Sequence, residues 1–263
     1  MSQAIDRAFD LLDCFRERKA MSLTDLSERT GQSISTVHRI AAVLERRGVL
    51  LRDPVSHAYM IGPDIVALAA RADPIAQIKS LARPLLVELC DALGETAVLS
   101  LLVGEQRVAI DQQESRHELR RRVDLGTPLA LHYGSAGKAM LAHLEEAQRE
   151  GLLRTLPPKG HTPFTPTNAE ALRVELEGIR RRGYAVSKNE YLIGVTSIGA
   201  AGFDRDGAVV GSISVTGPLS RLTSNLYAKF GTEVADTAQR LTLALSRVGG
   251  ADETAESVPA RSA

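Results

Sequence analysis

The chain has 263 residues, 24% charged and 44% hydrophobic, which at roughly 150 residues per domain is enough for about two globular domains with real cores. Its 32 basic and 32 acidic residues cancel, so whole-molecule charge makes no case for nucleic acid or membrane, and any partner must be argued from local features. Aromatics are only 4%, with no Trp, which argues against a base-stacking platform or an indole cage.

The longest apolar tract, about Val98 to Val103, falls far short of the roughly 20 residues of a bilayer span, and acids near the N-terminus stand where a signal peptide needs an apolar core. A cytoplasmic chain with no membrane partner is expected. Cys14 and Cys90 lie in helix-patterned segments without a second Cys or a His at ligand spacing, so buried free thiols are expected, with no metal and no cofactor.

In chain order, Ile5, Ala8, Phe9, Leu12 and Phe15 mark one face of a first helix ending near Arg18. Ser22 reads as the N-cap of a two-turn helix stopped by Gly31. Ser33 caps a third helix whose inward face is expected to be Ile34, Val37, Ala41 and Leu44, with Gly48 ending it. Two short β-like runs, Val49 to Arg52 and Ala58 to Ile61, flank a turn composed of Asp53, Pro54, Val55, Ser56 and His57. Helical stretches from Ile65 to Arg71 and from Asp73 to Leu93 follow as a connector.

Beyond Gly94 the character changes. Thr96 to Val103, Arg107 to Gln112, Leu119 to Leu125, Tyr184 to Val186, Thr196 to Phe203 and Val209 to Val215 are strand-like, the last two joined by a hairpin at Asp204 to Gly207. Ser135 to Leu144 and Asn168 to Arg182 are helix-patterned, and Leu222, Leu226, Phe230, Val234, Ala238, Leu241 and Leu245 form a long final stripe. The expected class is α+β: a three-helix unit with a β-ribbon at 1–62, a helical linker at 63–80, an antiparallel sheet flanked by helices at 81–248, and a disordered tail at 249–263.

A short helix, a tight turn and a helix opening on small polar residues can set side chains against base edges in the major groove. With Val37 and Ala41 inward, the outer face of that helix presents Ser33, Ser35, Thr36 and Arg39, with His38 at its edge; Arg52 and His57 on the ribbon could touch the adjacent backbone. Charge adds little, since residues 1–62 carry nine Lys or Arg against eight Asp or Glu.

The stretch Leu23 to Leu51, LTDLSERTGQSISTVHRIAAVLERRGVLL, resembles the winged helix-turn-helix of the IclR family of bacterial transcriptional regulators, and YMIGP resembles its wing end. The resemblance runs to about residue 248 through LGTPLALHYGSAGKAMLA, IRRRGYAVSKNEYLIGVTSIGAAGF and VVGSISVTGP. It implies a GAF-like effector domain behind a winged helix-turn-helix, a homodimer or homotetramer on a palindromic double-stranded DNA operator, and a small organic effector. Ile34 stands where members often carry Lys, so one phosphate contact that the family leads one to expect is missing.

Carried over residue by residue, the family's effector contacts fall on Ser135, Ala136, Ser187, Ser197, Ser214 and Thr216, with serines where members have an acid and a Cys. Period-two alternation independently sends Ser214 and Thr216 to one face of their strand, and the helix starting at Ser135 suits a carboxylate oxygen. Loss of the acid at Ser187 fits a carboxylic or hydroxyaromatic ligand. A repressor released by such an effector is the expected function, with activation by the effector equally allowed.

Two alternatives stand beside it: a regulator of this fold with a silent pocket, and a binding protein or hydrolase with a degenerate DNA-binding domain. Hydrolysis is disfavoured because Tyr133 occupies the first glycine position of a nucleophile elbow, and a phosphate loop because Lys138 is followed by Ala139. The triplets Arg120 to Arg122 and Arg180 to Arg182 read as solvated faces.

Overall fold

The computed structural model describes residues 3–16, 18–70, 73–157 and 159–248, and the chain separates into two compact units, 1–77 and 78–263. The predicted disordered tail at 249–263 lies outside the described residues.

The first unit opens with α1 (Gln3–Asp13) and a 3-10 turn, followed by α2 (Leu23–Thr30) and α3 (Ile34–Arg46). Ser22 and Asp25 form a reciprocal capping box at α2, which ends at Gly31 in the left-handed conformation. At α3 the Ser33 hydroxyl accepts the Thr36 N–H at 3.3 Å. Each such cap contributes about 1 kcal/mol and fixes where its helix begins.

Strands β1 (Leu50–Arg52) and β2 (Tyr59–Ile61) then pair antiparallel as the wing, and a bridge between Met21 and Tyr59 ties the wing to the approach to α2. Gly62 sits so close to Gly48 that an added Cβ would lie 2.1 Å from the Gly48 carbonyl oxygen, so only glycine closes the wing onto the end of α3. Helix α4 (Pro63–Ala70) follows.

Leu11, Met21, Leu26, Val37, Ala41, Leu50 and Tyr59 make the core of this unit, with Ile40 and Leu44 at its margin. Ile34, expected inward, is 53% exposed. It occupies the first turn of α3, ahead of the residues that pack, and so joins the outer surface.

The second unit is built on a six-stranded antiparallel sheet of β3 (Thr96–Val103), β4 (Gln106–Gln113), β5 (Pro128–Ala130), β6 (Ala185–Lys188), β7 (Val195–Phe203) and β8 (Val209–Pro218), in the order β5-β4-β3-β8-β7-β6. Helices α5 (Asp73–Leu93) and α9 (Tyr227–Val248) cover one face, where Leu86, Leu89, Val234 and Leu241 pack on Leu99, Ile198, Ile213 and Val215. Helices α6 (Ser135–His143) and α8 (Ala169–Arg182) lie on the other through Met140, Leu172, Leu176 and Ile179, beside α7 (Glu146–Arg154). Both faces of the sheet are therefore occupied. Cys14 and Cys90 are buried free thiols, pushed up in pKa chiefly by desolvation.

Two elements of this unit depart from the sequence pattern. Leu119 to Leu125 is an irregular loop, and the short strand that pairs with β4 is Pro128–Ala130. The Gln112 side chain holds the loop in place of a ladder, donating to the Val123 carbonyl at 2.9 Å and accepting its N–H at 2.8 Å. Helix α7 was not anticipated, because it buries only Leu153 and carries Gly151 inside, which leaves little periodicity to read.

Candidate functional site

On the first unit, Ser33, Ser35, His38 and Arg39 are exposed and Thr36 half-buried at the N-terminal end of α3. The Ser33 hydroxyl lies 3.1 Å from that of Ser35 and 2.9 Å from that of Thr36, so the three hydroxyls form one cluster at the helix start. Arg52 is exposed at the base of the wing; its Nε donates to the His57 carbonyl at 3.4 Å, and its guanidinium lies over the Tyr59 ring. The wing turn is stiffened by Asp53, whose Oδ1 accepts the Val55 N–H and both the N–H and hydroxyl of Ser56. These hydrogen bonds hold the Asp53 carboxyl below its ordinary pKa.

In the second unit one cavity of about 70 Å³ lies between the sheet and the start of α6, and all six carried-over residues line it: Ser135, Ala136, Ser187, Ser197, Ser214 and Thr216. The strand register explains the convergence. Ser187 pairs with Ser197, and Ser197 with Thr216, so three hydroxyl residues form a row across β6, β7 and β8, and Ser214 stands two residues along β8 on the same face. Val215, between them, faces the opposite core.

Gly199 admits α6: a Cβ there would lie 3.0 Å from the Ala136 nitrogen and from the Ser135 carbonyl carbon. The Ser135 hydroxyl donates to Ser197 at 2.9 Å, and the Thr216 hydroxyl to the Thr196 carbonyl at 3.4 Å. Among the described residues, the hydroxyls of Ser187 and Ser214 have no hydrogen-bond partner and are open to the cavity.

Although Ser187 stands where members have an acid, the lining keeps a carboxylate in Glu190. Its Oε2 accepts the Gly134 N–H at 2.9 Å, so an internal carboxylate already occupies the helix start where a ligand carboxylate was expected. Its other oxygen pairs with the fully buried Lys138, whose three N–H donors are matched by Glu190, Glu175 and the Val186 carbonyl. Burial raises the Glu190 pKa and Lys138 opposes the rise. The hydroxyls of Thr162 and Thr165 donate to the carbonyls of Asn189 and Glu190, fastening the neighbouring loop over this corner.

Arg107 on β4, which belongs to no sequence motif, is 8% exposed and also lines the cavity. Among the described residues it forms no ion pair, and its Nε is buried without a partner. Desolvation draws its pKa down, offset in part by the phenols Tyr133 and Tyr191, which stack on one another at 5.8 Å. The Arg triplets are also more engaged than expected of solvated faces. Arg121 lines the cavity, Arg180 donates to the Ala142 carbonyl, and Arg182 donates to that of Tyr184.

Among the described residues no helix is long and apolar enough to cross a membrane, and no group of three or more His, Cys, Asp or Glu could hold a metal ion.

A winged helix-turn-helix followed by an α+β domain with a six-stranded antiparallel sheet defines a class of two-domain transcriptional regulators. Residues 4–54 match the IclR helix-turn-helix domain and residues 74–243 the bacterial transcriptional regulator IclR C-terminal domain. The HTH-type transcriptional regulator BhcR of Paracoccus denitrificans is 33% identical over 253 residues, covering 96% of this chain and 91% of BhcR. The HTH-type transcriptional repressor AllR of Salmonella paratyphi A is 31% identical over 245 residues, covering 93% of this chain and 90% of AllR. An IclR homologue from Microbacterium hydrocarbonoxydans, solved in complex with 4-hydroxybenzoate, shares the fold with a TM-score of 0.80 at 23% identity, covering 92% of this chain and 99% of that one. The chain belongs to the IclR family of bacterial transcriptional regulators.

Proposed function

We propose that this protein is a cytoplasmic, ligand-responsive repressor, without enzymatic activity, that binds a palindromic operator as a homodimer or pair of dimers. Ser33, Ser35, Thr36, His38 and Arg39 enter the major groove at the start of α3, where hydroxyls and helix-start amides meet phosphate and Arg39 reaches a base edge. Arg52 meets the backbone beside the wing. A small organic acid or hydroxylated acid fills the cavity between α6 and the sheet and engages Ser135, Ala136, Ser187, Ser197, Ser214 and Thr216. Residues 1–62 act as the DNA-binding domain, 63–80 as the linker and 81–248 as the effector domain.

The observation that carries the reading is the convergence on one cavity of the six residues that the family resemblance implies, two of them with unpartnered hydroxyls, in a chain whose other unit is a winged helix. AllR supports the repressor sign by its name, and the Microbacterium homologue supports the ligand class by its bound 4-hydroxybenzoate. A ligand that favours an arrangement in which the two recognition helices leave one-turn spacing, about 34 Å, lowers operator affinity by linkage.

The test is selection of duplexes from a random DNA pool by the purified chain, followed by titration of the selected duplex with salt and with 4-hydroxybenzoate, lactate and 4-hydroxybutyrate. Expected are a palindrome with half-sites one turn apart, affinity that falls steeply with salt, and release by one of the acids. Failure to enrich a palindrome overturns the operator reading, and tighter binding with acid reverses the sign.

A further inference from the structure

Arg107 is costly to keep where it is. A guanidinium with five N–H donors and a permanent charge is 8% exposed, has a buried Nε without an acceptor, and has no carboxylate partner among the described residues. The acid of the cavity lining, Glu190, is committed to Lys138 and the Gly134 amide. Ser100 on β3 lines the same wall, and its hydroxyl is likewise buried and unpartnered. Gly134 makes room for the arginine: a Cβ there would lie 3.0 Å from Arg107 Nη2, which brings the guanidinium beside the N-terminus of α6, whose partial positive charge adds to its own. A buried cation and a buried free hydroxyl share this cavity with the free hydroxyls of Ser187 and Ser214, and the cation lacks an anion, since Glu190 already serves the helix start.

We propose that Arg107 is the charge anchor of the effector cavity, the side chain that pairs with the carboxylate of the organic acid proposed above. This rests on the cavity being the effector site. Within the lining Arg107 is the buried cation without an acid partner, Glu190 is the acid, and the half-buried Arg121 donates to the Arg122 carbonyl. Smallness follows from the volume: about 70 Å³ holds on the order of five waters, against roughly 300 Å³ or more for a drug-sized ligand. A planar guanidinium also selects carboxylate over a neutral amide, because only the anion accepts two parallel N–H bonds and cancels the buried charge.

The experiment measures thermal shift and calorimetric binding of the full chain with lactate, 4-hydroxybutyrate and 4-hydroxybenzoate, each beside its primary amide, and with sodium chloride and sodium phosphate. Expected is binding of at least one acid and none of its amide, weakened roughly 10- to 100-fold in Arg107→Gln, less in Arg107→Lys, with the unliganded melting temperature of Arg107→Gln equal to or above the parent's. Acid binding unchanged in Arg107→Gln but weakened in Ser214→Ala overturns the anchor and keeps the cavity as the effector site. An amide that binds as well as its acid, or phosphate or chloride that protects as well as every acid, overturns the carboxylate assignment without needing a variant. No shift with any acid or amide overturns the effector reading itself, and the anchor with it.

Discussion

Arg39 and Arg52 differ in what each can reach, and that difference is measurable. Arg39 stands on the exposed start of α3 among small hydroxyl residues, so Arg39→Ala should cost about 1–3 kcal/mol of operator affinity and relax the preference at one base position. Arg52→Ala, at the wing, should weaken all duplexes alike and reduce the salt slope by about one; competition binding across single-base operator variants separates the two. In the cavity, Ser214 and Thr216 were named by the family resemblance, and period-two alternation along the strand added only that they share a face. Arg107 was not. In QRVAIDQQ the same alternation puts Val108 and Ile110 on one face and Arg107 and Ala109 on the other, and a sheet with one solvated face would leave the arginine in water. It is buried because helices cover both faces.

The element that positions the cavity is α6, which is buried from Ser135 to Ala142 and meets the sheet at Gly199. Gly199→Ala would force a methyl to within 3.0 Å of the helix backbone, where no flexible side chain can yield. The expected outcome is a loss of about 1–3 kcal/mol, read as a lower denaturant midpoint with an unchanged slope, together with weaker acid binding as the helix start lifts from Ser197. An unaltered midpoint would mean that the helix shifts at no cost. The loop at 119–125 shows the converse limit of local reading. Its β-branched and long residues suit a strand, yet Gln112 satisfies Val123 through its side chain, and a backbone served in this way needs no neighbouring strand. That loop brings Arg121 and Val123 to the cavity wall.

For the molecule as a whole, acid should weaken the fold above the ordinary carboxylate range. Burial lowers the pKa of both His132 and His143, so each is favoured neutral in the native state and takes up its proton more readily when unfolded. Below the ordinary histidine value of about 6.5 the unfolded chain therefore binds more protons, and stability present above that pH is lost as the pH falls toward the depressed native values. The melting temperature should drop between about pH 7.5 and 5.5, and the His132→Gln, His143→Gln double variant should flatten the drop; an equally steep profile in the double variant would locate the effect elsewhere. What the sequence by itself determined was local: the caps at Ser22 and Ser33, the stop at Gly31, the hairpin at 204–207, and the side of β8 on which Ser214 and Thr216 stand. Each of these depends on residues within a turn or two of chain. Only the tertiary structure decided that Ile34 faces outward, that Glu190 occupies the start of α6, and that Arg107 lies buried without an acceptor, because burial and pairing are set by what packs from distant segments.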